Sequence, residues 1–137
     1  MIRGIAPGWD HTPEGALGLQ SSEVTAHERS TRYVQVPSTI FLTGLTGSGK
    51  STLARALERK LFDRGRTVVR IDGENLRLGT SRDLGFTAPE RSENVRRAAE
   101  VAALVNRQGL MALSALIAPD ARDRRRATEL IGDDCFV

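Results

Sequence analysis

The apolar positions along the chain predict strands that alternate with helices. Short, nearly continuous apolar runs over residues 38–43, 67–71 and 110–117 predict buried strands, and residues 135–137 look like the start of another. Helices are predicted in the segments around them, over residues 23–33, 50–64, 89–107 and 120–130. Strands that alternate with helices indicate an α/β fold, a three-layer α/β/α sandwich around a parallel sheet.

The clearest helical repeat lies in residues 50–64. Leu53, Leu57 and Leu61 recur at every fourth position as the apolar positions of this helix, and Gly65 follows as its C-terminal cap. The run 110–117 is apolar except for Ser114, which is typical of a parallel strand covered on both faces.

Residues 1–22 differ from the rest of the chain. They mix glycine and proline without a strand or helix period, which predicts a flexible extension or linker. Trp9 and His11 fit either a docking element for a partner or incidental residues of a loose segment. Residues 23–137 are predicted to form one domain. Because its last strand would have only three residues, we expect this domain to be incomplete at the C-terminus, as a fragment or a truncated gene product.

Charge and cysteine content narrow the class of protein. All but two of the 20 basic residues are arginines, the exceptions being Lys50 and Lys60, and the formal net charge is only +3. Arginine suits bidentate contacts with phosphate or sulfate groups, but we expect neither a nucleic-acid nor a membrane partner. The single cysteine, Cys135, and the lack of a long apolar segment predict a cytoplasmic protein without disulfides.

A glycine-rich segment after the first strand matches the phosphate-binding loop signature. The candidate nucleotide-binding residues are Gly44, Leu45, Thr46, Gly47, Ser48, Gly49, Lys50, Ser51 and Thr52. Small residues let successive backbone amides point at phosphate oxygens. Lys50 would add a charge near the β- and γ-phosphates, and Ser51 would offer a hydroxyl to Mg²⁺. The alternative is an ordinary glycine-rich turn, which the flanking strand and helix make less favoured.

Asp72 ends the second predicted strand, 22 residues after Lys50. Ligands of open parallel sheets bind at the C-terminal ends of the strands, so we expect Asp72 to face the phosphates. Its carboxylate would accept the proton of an attacking hydroxyl or hold Mg²⁺ through water. Capping the helix that follows is the structural alternative, and the two roles are compatible.

Arginines are frequent after the second strand. They are Arg77, Arg91, Arg96 and Arg97. Beside a phosphate loop, such a set would bind a second anionic substrate or shield the charge of a transferred phosphoryl group. Alternatively, Arg96 and Arg97 are half-exposed helix residues without a binding role. Phe86 fits either a residue that stacks on a base or a residue of the core.

Several of these segments together resemble the adenylylsulfate kinases. The matching segments are residues 43–52, residues 72–77 (Asp-Gly-Glu-Asn-Leu-Arg), residues 83–86 (Asp-Leu-Gly-Phe) and residues 91–97 (Arg-Ser-Glu-Asn-Val-Arg-Arg). The resemblance implies a P-loop nucleoside triphosphate hydrolase type of fold and transfer of phosphate from MgATP to the 3′-hydroxyl of adenylylsulfate. It also implies a homodimer, and a sulfate adenylyltransferase as a partner or as part of a longer polypeptide.

The resemblance also assigns roles to single residues. Asp72 would sit at the reacting hydroxyl, with Lys50 on the phosphates. Adenylylsulfate would be held by Arg77, Phe86, Arg91, Asn94 and Ile117, with Phe86 stacked on the adenine. The chain departs from the family at Ala118, where a serine is usual, and at Glu74, where aspartate is usual. Direct in-line phosphoryl transfer needs no such serine, because it depends mainly on positioning and charge stabilisation.

Two other functions remain open from the sequence. The family has a lid over ATP beyond the segment matched here, and a domain without it would bind nucleotide without turnover because water is not excluded. The chain would then be a non-catalytic nucleotide-binding module. Alternatively, it is a P-loop kinase that phosphorylates another small hydroxylated metabolite.

Overall fold

The structure, a computed structural model, describes residue 18 and residues 20–136. The elements are α1 (Ala26–Tyr33), β1 (Thr39–Thr43), α2 (Lys50–Asp63), β2 (Val68–Asp72), α3 (Gly73–Arg77), α4 (Ala88–Arg107), β3 (Met111–Leu116) and α5 (Ala121–Ile131). Most of the extension predicted over residues 1–22, including Trp9 and His11, lies outside the described residues, so its role stays a prediction. Within the described residues, no helix has the length and apolar character needed to span a bilayer.

The three strands form one parallel sheet in the order β1-β3-β2. Thr43 pairs with Leu116, and Asp72 pairs with Ala115, so all three strands end at the same edge of the sheet. The loop after β1 and the carboxylate that ends β2 therefore share this edge, on either side of β3. Beyond β1, Phe136 makes a single parallel bridge, where the sequence predicted another strand.

Helices cover both faces of the sheet, which confirms the predicted three-layer α/β/α sandwich. On one face, Leu113 and Ala115 of β3 pack with Ala54 of α2. On the other face, Ala112 and Leu116 pack in a cluster with buried residues of α4 and α5. Half of the buried residues of α4 are alanines, whose small side chains allow the helix to lie close to the sheet.

The apolar positions predicted for α2 are only partly correct. Leu57 packs against the buried cluster, but Leu53 is 56% exposed, and the one fully buried residue of α2 is Ala54. Residues spaced by four are offset by about 40° around a helix of 3.6 residues per turn, so Leu53 lies about 100° from Ala54 and Leu57 only about 60°. Gly65 follows the helix with a φ of 76°, the left-handed conformation expected of a C-terminal glycine.

Gln35 joins three segments that are distant in sequence. Its side-chain Nε2 donates hydrogen bonds to the carbonyls of Thr67 and Gly109, and its Oε1 accepts from the Thr67 amide at 2.9 Å. These bonds hold the start of β2 and the end of α4 beside the segment that leads into β1. The side chain is buried and its polar atoms are paired, so it fixes this end of the sheet without leaving an unsatisfied group.

Candidate active site

The N-terminus of α2 differs from the other helix N-termini of the described residues. A side chain caps each of the other four helices, namely Thr25 for α1, Asp72 for α3, Thr87 for α4 and Asp120 for α5. The N-cap residue of α2 is Gly49, which offers no side-chain cap. The first amides of α2 therefore lack the usual partner, and with the positive end of the helix dipole they form a site suited to an anion.

The glycines of this loop are required by its geometry. Gly47 and Gly49 have φ values of 81° and 89°, which side chains disfavour. A Cβ atom on Gly44 would lie 2.5 Å from the Ser48 hydroxyl oxygen. The backbone thus folds in the tight form that the phosphate-binding signature predicts.

Lys50 and Ser51 lie in the first turn of α2, directly after the loop, and both side chains form hydrogen bonds. The Lys50 ammonium donates to the Leu45 carbonyl at 3.4 Å, its one polar contact within the described residues. The Ser51 hydroxyl donates to Oδ2 of Asp72 at 3.3 Å. The other predicted loop residues with side chains are solvent-exposed, namely Leu45, Thr46, Ser48 and Thr52.

Asp72 performs the capping role and also faces the loop. Its Oδ1 accepts hydrogen bonds from the amides of Glu74 at 2.9 Å and Asn75 at 3.3 Å, which caps α3. Its Oδ2 is the oxygen that Ser51 contacts. The two carboxylate oxygens therefore have separate partners, and one of them points to the start of the helix that carries Lys50.

Arg70 is a neighbour of this carboxylate that the sequence analysis did not single out. Its Nη1 lies 3.8 Å from Oδ2 of Asp72, and its Nε donates to Oε2 of Glu58 at 2.8 Å. Residues two apart in a strand share a face, so the spacing of 70 and 72 was a signal that could have identified it. Glu58 lies in α2, so this pair links β2 to the helix that follows the loop.

The residues predicted to hold the acceptor surround two short backbone segments. Arg77 donates from Nη1 to the Gly73 carbonyl at 3.2 Å and from Nε to the Gly85 carbonyl at 3.3 Å. Asn94 donates to the same Gly73 carbonyl at 3.3 Å. Arg91 donates to the Phe86 carbonyl at 2.8 Å. Since Gly73 follows Asp72 directly, these side chains extend the site from the phosphate loop toward α4.

Phe86 is not a core residue. Its side chain is 68% exposed, and the Arg77 guanidinium carbon lies 4.5 Å from the centre of its ring. In this cation–π contact the guanidinium lies over one face of the ring. The exposed remainder of the ring is open to a ligand, and the core alternative considered from the sequence is wrong.

Ile117 and Asn94 occupy more buried positions. Ile117 directly follows β3 at the strand-end edge of the sheet and is partly buried. Asn94 is 3% exposed, and its side-chain Oδ1 has no hydrogen-bond partner among the described residues. Buried polar atoms are seldom left unpaired, so this oxygen is a candidate contact for a bound molecule.

The four arginines separate into two pairs. Arg96 and Arg97 both form ion pairs with Glu93, at 2.8 and 2.9 Å, and Arg97 also pairs with Asp83. Arg77 and Arg91 have backbone carbonyls as hydrogen-bond partners and form no ion pair with a described carboxylate. Burial lowers the pKa of the Arg77 guanidinium, and the nearby Glu74 and Glu90 offset this only in part. An anion placed beside Arg77 and Arg91 would therefore meet two guanidinium groups that form no ion pair with a described carboxylate.

Glu93 anchors the paired arginines and should affect stability at low pH. Burial alone would raise the pKa of its carboxyl, but hydrogen bonds from Arg96 and Arg97 outweigh burial and hold that pKa below the ordinary 4.5. Its stabilising effect is therefore complete above pH 4.5 and is lost as the pH falls through the lowered folded-state pKa.

We expect Glu93→Gln to lower the free energy of unfolding at neutral pH by about 2 kcal/mol, because two arginines lose a nearly buried charged partner. The same variant should lose less stability between neutral pH and about pH 3 than the unaltered chain does. Urea unfolding at both pH values measures this. Glu100→Gln is the matched control, because Glu100 is 52% exposed and pairs with Arg96 at 3.7 Å. Equal losses for both variants would contradict the assigned role.

Known protein sequences match most of this chain. The family profile described as Adenylylsulphate kinase matches residues 36–137. The Rhodopirellula baltica protein named bifunctional enzyme CysN/CysC is 53% identical over 116 residues, which are 85% of this chain and 18% of that protein. The protein named adenylyl-sulfate kinase of Pseudomonas aeruginosa is 48% identical over 109 residues, 80% of this chain and 56% of the relative. The chain thus spans between about a fifth and just over half of these relatives.

A solved structure agrees with the sequence comparisons. The Mycobacterium tuberculosis APS kinase CysC, in complex with AMPPNP and APS, matches with a TM-score of 0.70 and 41% identity. The match covers 73% of this chain and 59% of that one. The profile match over residues 36–137 includes every segment on which the sequence resemblance rested. The chain therefore belongs to the adenylylsulphate kinase family.

Proposed function

We propose that this protein transfers the γ-phosphate of MgATP to the 3′-hydroxyl of adenylylsulfate, giving ADP and 3′-phosphoadenylylsulfate. The observation that carries the proposal is the 3.3 Å contact between the Ser51 hydroxyl and Oδ2 of Asp72. This contact puts a carboxylate at the phosphate loop, where a hydroxyl must approach a bound triphosphate. The names of the matched proteins, an adenylyl-sulfate kinase and an APS kinase in complex with AMPPNP and APS, support the choice of substrates.

The donor half of the site would be the loop from Gly44 to Thr52. Its backbone amides and Lys50 would bind the phosphates of ATP. The Ser51 hydroxyl would be the protein ligand of Mg²⁺, which prefers oxygen ligands and binds through few protein groups, phosphates and water. Mg²⁺ would supply charge neutralisation at the transferred phosphate.

The acceptor half would be formed by α3, α4 and the loop between them. Arg77 and Arg91, which lack ion-pair partners in the described chain, would bind the phosphate and sulfate of adenylylsulfate. The exposed ring of Phe86 would stack on the adenine, and Ile117 and Asn94 would complete the pocket. In the transfer itself, the 3′-oxygen would bond to the γ-phosphorus as the bond to the bridging oxygen of ADP breaks. Asp72 would take the hydroxyl proton.

The proposal is tested by incubating the chain with ATP, Mg²⁺ and adenylylsulfate and separating the nucleotides by chromatography. We expect ADP and 3′-phosphoadenylylsulfate in equal amounts. Binding of ATP without turnover would instead favour a non-catalytic nucleotide-binding module. Turnover with another hydroxylated metabolite, but none with adenylylsulfate, would assign a different acceptor.

Arg91→Ala tests the acceptor half separately. We expect the KM for adenylylsulfate to rise about tenfold, because one charge-assisted contact to an anion is worth roughly 1.5 kcal/mol. The KM for ATP should stay unchanged, since Arg91 contacts the Phe86 carbonyl rather than the phosphate loop. Initial rates at varied concentrations of each substrate measure both values. Arg107→Ala, at the exposed end of the same helix, is the control. An unchanged KM for adenylylsulfate would place the acceptor site elsewhere.

We further propose the cellular setting that the family resemblance implies. A relative named as a bifunctional enzyme supports a sulfate adenylyltransferase as partner or fused domain. The chain would act in the cytoplasm as a homodimer. Analytical ultracentrifugation of the purified chain tests the dimer, and a monomer at all concentrations would contradict it.

A further inference from the structure

The loop between α3 and α4, residues 78–87, carries Phe86, and Arg97 of α4 binds the middle of this loop at Thr80 and Asp83. Arg97 donates from Nη1 and Nη2 to the two carboxylate oxygens of Asp83, at 2.6 and 2.9 Å. The same Nη1 also donates to the Thr80 carbonyl at 2.8 Å. The hydrogen bond from Arg97 lowers the pKa of the Asp83 carboxyl, so this carboxyl is charged at neutral pH. A forked arginine–carboxylate pair fixes direction as well as distance.

Arg97 is itself held in place from the other side. Its Nε donates to Glu93 at 2.9 Å, and Glu93 is only 2% exposed. Residues 93 and 97 are one turn apart in α4, so the carboxylate keeps the guanidinium against the helix. We call Arg97, its partners Glu93 and Asp83, and the Thr80 carbonyl the Arg97 clamp. The clamp connects a buried group of the core to an exposed loop.

The position of Phe86 depends on the segment that the clamp holds. Asp83 is followed by Leu84, which is 7% exposed, and then by Gly85 and Phe86. The Gly85 carbonyl accepts from Arg77, and the Phe86 carbonyl accepts from Arg91. A shift of this segment would therefore move the ring and both arginines that face the acceptor. None of the roles assigned above uses Arg97.

We propose that Arg97 is a positioning residue for adenylylsulfate, because its clamp fixes the loop that places Phe86, Arg77 and Arg91. This inference rests on the proposed function, in which these three residues bind the acceptor. Arg97 itself would not touch the substrate. Its loss should weaken the binding of adenylylsulfate and leave the binding of ATP unchanged, because the clamp has no contact with the phosphate loop.

Arg96 provides a matched control within the same helix. It also forms two hydrogen bonds to Glu93, both at 2.8 Å, and it is as exposed as Arg97, at 22% against 21%. Its other ion pair is with Glu100 of α4, not with the loop. Removing either arginine leaves Glu93 with one partner, so the two variants share the structural damage. Only the Arg97 variant also removes the hydrogen bonds to the loop at Thr80 and Asp83.

The experiment compares Arg97→Gln, Asp83→Asn and Arg96→Gln with the unaltered chain. Amide hydrogen exchange over residues 80–86 reports the loop, and titration calorimetry with adenylylsulfate and with ATP reports binding. For Arg97→Gln and Asp83→Asn we expect faster exchange and a Kd for adenylylsulfate raised about tenfold, as expected when binding groups are misplaced. The Kd for ATP should change by less than about twofold. Arg96→Gln should leave loop exchange and both Kd values unchanged, although its melting temperature falls with that of Arg97→Gln.

Asp83→Asn keeps the proposal testable if Arg97→Gln does not fold, because it leaves both arginines on Glu93. Equal effects of the Arg97 and Arg96 variants would overturn the inference. A faster-exchanging loop with an unchanged Kd for adenylylsulfate would overturn it as well. Failure of the proposed function would give a different result, in which the unaltered chain binds ATP but not adenylylsulfate. Adenylylsulfate would then be excluded as the ligand before any variant is compared.

Discussion

Lys50→Ala is expected to lower the kcat for phosphorylation of adenylylsulfate by about a thousandfold, which corresponds to roughly 4 kcal/mol of transition-state stabilisation. Phosphoryl transfer gains most of its rate from positioning and from charge placed on the transferred group. Within the described residues, Lys50 makes one hydrogen bond, to the Leu45 carbonyl at 3.4 Å. Its charge is therefore available to the phosphates, and its loss should leave the fold intact.

The chain contains its own control for this experiment. Lys60 is the only other lysine, lies in the same helix and is exposed. Lys60→Ala should keep the full rate, and both variants should melt at the temperature of the unaltered chain. Initial rates of ADP formation with saturating adenylylsulfate measure the effect, and circular dichroism measures melting. A Lys50→Ala rate within tenfold of the unaltered chain would show that the loop does not hold the reacting triphosphate.

The strands and the phosphate loop could be predicted because their signals are local. Residues 38–43 contain β1 and residues 110–117 contain β3, with the observed strands one residue shorter at one or both ends. The glycine positions of the loop follow from backbone conformation alone, since Gly47 and Gly49 adopt positive φ values. Helix α2 shows the limit of such reasoning. Its repeat of leucines gave the helix correctly but not its buried face, which Ala54 occupies because the sheet lies there.

The assignment of the arginines could be predicted from spacing only in part. All four follow Asp72 within 25 residues, yet two carry ion pairs and two do not. The difference depends on Asp83, which reaches Arg97 across 14 residues of chain, and on the burial of Glu93. The helical spacing of Glu93 with Arg96 and Arg97 is a local signal, whereas only folding brings Asp83 to Arg97. The same holds for Arg70, whose partner Glu58 lies on another element.

The family resemblance supplied roles that physical reasoning left open. For Phe86, physical reasoning favoured a core position, and the family resemblance favoured stacking on a base. The structure gives a physical reason for the second alternative, since the ring is exposed beside Arg77. The roles of Phe86, Arg77 and Arg91 in binding adenylylsulfate stay predictions, and the variants described above test them one at a time.

Asp72→Asn should lower kcat by at least about a hundredfold, the usual contribution of a general base. The amide cannot take the proton of the 3′-hydroxyl, whereas Asn caps helices as well as Asp does. The bonds from the amides of Glu74 and Asn75 to Oδ1 are therefore retained, and α3 should keep its position. Initial rates give kcat, and calorimetric titration should show ATP bound with little change.

Asp72→Ala separates the two functions of this side chain. It removes the cap as well as the base, so it should lose about 1 kcal/mol of stability that Asp72→Asn retains. Both variants should show the same loss of kcat, because the carboxylate oxygen facing Ser51 is absent in each. If Asp72→Asn instead kept most of the rate and only Asp72→Ala lost it, capping of α3 would be the contribution of Asp72, and the proton would leave by another route.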